Sequence, residues 1–149
     1  MSESASPVPS AGGAVGVVVI THGMLATELL NAAEMIVGDL PRFTAVSIGW
    51  HDDVPVATGA MARAIERVDS GAGVLLLTDM FGGTSSNLAM TFLEAGKVEV
   101  VTGVNLPMLI KLARAAGTGD ALAAARAIAH DGREAIRVAS DLLRATTNT

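Results

Sequence analysis

The sequence contains no cysteine and no tyrosine, only one tryptophan and three phenylalanines, and no lysine or arginine before Arg42. Without cysteine there is no disulfide, no thiolate nucleophile and no cysteine-ligated zinc, and nothing points to an oxidising compartment. Scarce aromatics argue against recognition by base stacking. A net charge of −5, from fifteen acids against ten bases, disfavours a phosphate backbone as partner and suits a basic protein. The early apolar run is too short to span a membrane and no basic residue precedes it, so neither an anchor nor an export signal is expected. The protein therefore reads as cytoplasmic.

With 149 residues the chain can bury the core of one domain. Residues 1–13 hold four serines, two prolines and two glycines. They offer too little apolar surface to offset their ordering entropy, so a floppy tail is expected there, followed by one domain over 14–145 and a frayed end at 146–149. Ala14 to Ile20 are apolar apart from Gly16, a pattern that suits a strand covered on both faces, as in a parallel sheet. Thr21-His22-Gly23 ends it, and open α/β sheets bind ligands at such strand ends.

Strand and helix then alternate. Leu25, Leu29, Ala32, Ala33 and Ile36 form a helical stripe closed by Gly38. A strand over 43–48 leads through Asp52, Asp53 and Pro55 into a helix faced by Ala57, Met61, Ala64, Ile65 and Val68. A third strand, 74–78, ends at Asp79. Gly82-Gly83-Thr84-Ser85-Ser86-Asn87 reads as a loop feeding a helix, with Thr84 or Ser85 as N-cap and Gly96 as its stop. A fourth strand over 98–104 precedes helices opening at Asn105-Leu106-Pro107 and near Asp120. The fold class is α/β, a three-layer sandwich around a doubly wound, mainly parallel sheet. In the order 2-1-3-4, strands one and three adjoin, and His22 and Asp79 face one crevice. Residues 133–140 fit either a helix or an alternating edge strand.

A carboxylate beside an imidazole fixes which ring nitrogen carries the proton, which leaves the other as a nucleophile. Gly82, Gly83, Thr84 and Ser85 offer N–H and hydroxyl groups of the kind that hold a phosphoryl group. Met24, Met80 and Phe81 flank these residues in loops and suit an apolar rim for partner docking. No Walker lysine or G-x-G-x-x-G pattern supports a nucleotide, and His51, Asp52 and Asp53 have no recognised ligand spacing, so no metal or cofactor is expected. Thr21-His22-Gly23 stands where a response-regulator receiver would need an acidic pocket, and Thr21 replaces the arginine of a histidine phosphatase. His130 reads as solvated surface.

Thr21-His22-Gly23, the segment from Asp79 to Asn87, and the segment from Gly103 to Leu109 together resemble the enzyme IIA component of mannose-type phosphoenolpyruvate-dependent sugar phosphotransferase systems. Met24 and Phe81 stand where that family often has tryptophan. The resemblance covers roughly 15–117. It implies that His22 accepts a phosphoryl group from the phosphohistidine of HPr and passes it to a IIB component, with Asp79 orienting the ring. It implies no cofactor, and contact with a membrane only through a transport complex. It also implies an antiparallel edge strand exchanged in a homodimer, which the alternation from Arg133 to Ser140 suits. A regulatory module that reports phosphorylation state would use the same site. A dihydroxyacetone kinase phosphocarrier shares the fold, but the Gly103 to Leu109 segment argues against it.

Overall fold

The computed structural model describes residues 13–49, 52–115 and 120–147. The expected tail lies outside them except for Gly13, as do Trp50, His51 and the last two residues. In chain order the elements are β1 (Gly16–His22), α1 (Leu25–Val37), β2 (Phe43–Ile48), α2 (Val54–Val68), β3 (Val74–Thr78), α3 (Thr84–Met90), β4 (Val98–Thr102), α4 (Leu106–Arg114), α5 (Ala121–Glu134) and α6 (Ala139–Thr147). The four strands are all parallel, in the order β2-β1-β3-β4. This is the expected doubly wound arrangement.

The pleat explains why β1 has no polar face. Val17 and Val19, with Leu75 and Leu77 of β3, pack on Ala26 and Ala33 of α1, Met108, Leu109 and Leu112 of α4, and Ile128 of α5. Val18 and Ile20, with Leu76, Val46 and Ile48, pack on Met61 and Ala64 of α2 and Leu88 and Ala89 of α3. Each fully buried Val, Leu or Ile contributes roughly 1.5–3 kcal/mol, so both helical layers are held by the same few strand residues. Gly16 begins β1 where α2 ends. A Cβ there would land on the carbonyl oxygen of Val68 and lie 2.7 Å from its Cγ2. Gly16→Ala should therefore lower stability by about 1–3 kcal/mol, read as a drop in thermal midpoint, since backbone has to move to admit the methyl.

Four boundaries differ from the sequence expectation. The helix after the glycine pair stops at Met90 rather than at Gly96, because the N–H groups of Thr91, Phe92 and Leu93 turn to carbonyls three residues back. Glu94 and Val98 then exchange backbone hydrogen bonds and reverse the chain. Its N-cap is Gly83, at φ 94°, so Thr84 and Ser85 lie inside the first turn. β4 stops at Thr102, where the N–H groups of Gly103 and Val104 converge on the Thr78 carbonyl. Lastly, α5 continues to Glu134 and α6 starts at Ala139, so only 135–138 lie between them. An edge strand forms against a partner's backbone, and no described part of this chain offers one to residues 133–140.

Candidate active site

β1 carries His22 to its C-terminal end, and the residues on either side fix the turn. Thr21 is fully buried and its Oγ1 accepts the Ala26 N–H at 2.7 Å, which ties β1 to the first turn of α1. Gly23, at φ 58°, donates its N–H to the Ile48 carbonyl at 2.9 Å. β3 ends two residues short of the same level, since Ile20 pairs with Thr78. Asp79 then leaves the sheet beside His22.

The Asp79 carboxylate accepts four hydrogen bonds. Oδ2 takes the His22 backbone N–H at 3.0 Å and lies 2.8 Å from the ring Nδ1. Oδ1 takes the Met80 N–H at 3.0 Å and the Ser85 hydroxyl at 2.8 Å. Burial pushes the Asp79 pKa up, but the hydrogen bonds from His22 and Ser85, with the nearby imidazole, outweigh it and leave the group below its ordinary value. An ionised carboxylate can only accept, so the proton between Asp79 and His22 resides on Nδ1. In the neutral ring Nε2 then carries the free lone pair.

Gly83 stands at that nitrogen. A Cβ on Gly83 would lie 3.2 Å from Cε1 and 3.3 Å from Nε2, so glycine lets the loop pass close to the nucleophile. His22, Gly23, Ile48, Gly49, Gly83 and Thr84 line a cleft of about 370 Å³. The His22 side chain is 46% exposed and that of Asp79 only 14%, which suits a reacting ring on a held support. Asp52, in the loop after β2, accepts the Gly49 N–H on Oδ2 at 2.6 Å.

The fold thus brings together His22, Asp79, Gly83 and Thr84. Gly82 does not line the cleft, and Ser85 is fully buried with its hydroxyl turned to Asp79 instead of the opening. Met24, Met80 and Phe81 are 61%, 54% and 73% exposed beside the site. His130 is exposed. Among the described residues no group of three acidic or histidine side chains gathers as a metal site, and no helix is long and apolar enough to cross a membrane. Thr21 as the tie to α1 and Ser85 as a ligand of Asp79 were not foreseen; buried hydroxyls next to site residues were the only available signal.

Comparison with known proteins gives the family of the chain. The chain belongs to the family described as "PTS system fructose IIA component", PTS being the sugar phosphotransferase system, which matches residues 16–129. It is 33% identical over 103 residues to the mannose-specific EIIAB component of Escherichia coli strain K12, covering 65% of this chain and 30% of that protein. The chain thus spans about a third of the length of that relative. It is 32% identical over 98 residues to the sorbose-specific EIIA component of Lacticaseibacillus casei, covering 65% of this chain and 70% of that one. The PTS IIA protein associated with the fucose utilization operon of Streptococcus pneumoniae superposes with a TM-score of 0.77 at 26% identity, over 89% of this chain and 98% of that structure.

Proposed function

We propose that this chain is the phosphocarrier of a mannose-type sugar phosphotransferase system, accepting a phosphoryl group on Nε2 of His22 from phospho-HPr and passing it to a IIB component. The observation that carries this reading is the hold of Asp79 on Nδ1, at 2.8 Å, which leaves Nε2 as the nucleophile beside Gly83. As the donor's N–P bond breaks, the Nε2–P bond forms and the Nδ1 proton stays with the Asp79 pair. Gly83 and Thr84, which line the cleft, would offer donors to the phosphoryl oxygens with Gly82 just before them, and the exposed Met24, Met80 and Phe81 would form an apolar rim adaptable to two partners in turn. No cofactor is required for this transfer between histidines.

The reading places the protein in the cytoplasm, at a membrane only through its transport complex. It also includes a homodimer. Ile136, Val138, Leu142 and Leu143 are exposed in the segment after α5, an apolar surface that a second copy would cover by pairing with 133–140. Incubation with phosphoenolpyruvate, the first enzyme of the system and HPr should place one phosphoryl group on the chain. ³¹P and ¹⁵N spectra should locate it on Nε2 of His22, and it should be lost in acid. A label that survives acid, or sits on another residue, would rule the reading out.

A further inference from the structure

We propose that Ser85 is a positioning residue for His22: its buried hydroxyl holds Oδ1 of Asp79 so that the carboxylate offers Oδ2 alone to the imidazole. This rests on the reading of His22 as the phosphoryl carrier. The terminal torsion of an aspartate is broad and nearly two-fold, so a carboxylate at a strand end needs external donors to stay in one orientation. Two of the four donors to Asp79 belong to His22 itself, and a third is the N–H of the adjacent Met80. Ser85 alone reaches it from a separate element. α3 is anchored in the core through buried Leu88 and Ala89, so the 2.8 Å bond fastens Asp79 to the body of the protein.

The same helix turn governs the other side of the ring. Gly83, two residues before Ser85, is the backbone that borders Nε2. One short segment therefore sets both imidazole nitrogens, Nδ1 through Ser85 and Asp79, and Nε2 through Gly83. Ser85 is not among the residues lining the cleft, whereas Thr84 is. The neighbouring residues thus divide the work, Thr84 at the cleft and Ser85 at the support beneath it.

The bond also tempers the carboxylate. A hydroxyl donating to Oδ1 draws off negative charge, which makes Oδ2 a weaker base towards the Nδ1 proton. Phosphorylation at Nε2 withdraws electrons from the ring and strengthens its Nδ1–H as a donor, so a weaker partner at Oδ2 stabilises the phosphorylated form less. Ser85 in this way favours release of the phosphoryl group: the Nε2–P bond breaks, the acceptor–P bond forms, and the proton remains on Nδ1. Among the described residues Asp79 is the one carboxylate hydrogen-bonded to the ring.

Ser85→Ala tests this, with Ser85→Thr as the variant that keeps the hydroxyl. In Ser85→Ala, ¹⁵N spectra of the imidazole should show a loss of the Nδ1–H tautomer, and Asp79 should titrate at higher pH than in the parent. Acceptance from phospho-HPr should slow about 3- to 30-fold, in keeping with loss of one hydrogen bond to a charged group. Phospho-His22, once formed, should pass its phosphate on more slowly. Ser85→Thr should restore the tautomer and most of the rate. Parent-like tautomer and rates in Ser85→Ala would overturn the proposal. If neither protein accepts phosphate at all, the phosphocarrier reading fails, while the tautomer populations still decide whether Ser85 orients His22 through Asp79.

Discussion

His22→Gln is expected to abolish uptake of acid-labile phosphate from phospho-HPr, leaving label at background, while the thermal midpoint changes little. Transfer needs a nitrogen lone pair to form the new N–P bond, and an amide nitrogen has none to give because it is delocalised into the carbonyl. Neighbouring groups cannot substitute. His130 is exposed elsewhere, and the Asp79 carboxylate still takes the backbone N–H of residue 22, the Met80 N–H and the Ser85 hydroxyl once the ring is gone. The small stability effect follows from exposure. Nearly half of the His22 side chain meets solvent, and a pair at such a position contributes roughly 0–1 kcal/mol. Thr21, Gly23 and their bonds to Ala26 and Ile48 keep the strand end in place without the ring. Rapid-quench labelling beside a thermal melt separates these effects. Residual acid-labile label in a folded His22→Gln protein would mean that the phosphoryl group enters elsewhere.

Much of this was legible in the sequence because the fold is punctuated by residues with narrow physical roles. Short apolar runs with no polar face suit strands covered on both sides, and β1 and β3 are covered that way. Gly38, Pro55 and Pro107 sit at the helix boundaries they suggested. His22 and Asp79 were readable as a pair because topology alone brings the ends of adjacent parallel strands together. The direction of the Ser85 hydroxyl was not readable. Thr84, Ser85 and Ser86 are chemically alike in one dimension, and only the position of Gly83 as N-cap decides which of them reaches Asp79. The stop at Met90 was hidden for a related reason. Leu88, Phe92 and Ala95 keep a helical spacing, but the reciprocal bonds of Glu94 and Val98 impose a tighter turn that spacing does not encode. Residues 133–140 are a third case, since their alternation does not encode the helix ends at Glu134 and Ala139 that leave Ile136 and Val138 exposed between them.

Asp79→Asn should slow phosphoryl acceptance by roughly 10- to 1000-fold, equivalent to about 1.4–4 kcal/mol of barrier, with the fold retained. The carboxylate has two accepting oxygens, each facing two donors; the amide has one oxygen and one NH₂, so one side has to fail. With the amide oxygen towards His22, the NH₂ confronts the Met80 N–H, and Ser85 can only reverse its hydroxyl to accept. In the flipped orientation the NH₂ donates to Nδ1, the ring proton moves to Nε2, and the nucleophilic lone pair is lost. Either arrangement also removes the negative charge that supports positive charge growing on the ring during attack. Where tautomer choice is decisive, loss of an orienting carboxylate can cost about 10⁴ in rate. The smaller loss expected here reflects an already reactive phosphohistidine donor, for which positioning supplies much of the catalysis. The acid limb of stability should change as well. Asp79 in the folded protein titrates below its ordinary value, so its stabilisation is present above the unfolded carboxylate pKa of about 3.9 and is lost as pH falls through the lower folded value. A neutral amide at this position lacks that dependence, and the variant's midpoint should fall less steeply than the parent's on acidification. Stopped-flow transfer from phospho-HPr and melts across pH 2 to 7, taken as rough bounds of the carboxylate range, measure both effects. Parent rates in a folded Asp79→Asn protein would reduce Asp79 to a strand-end cap and leave His22 dependent on the Gly83 loop alone.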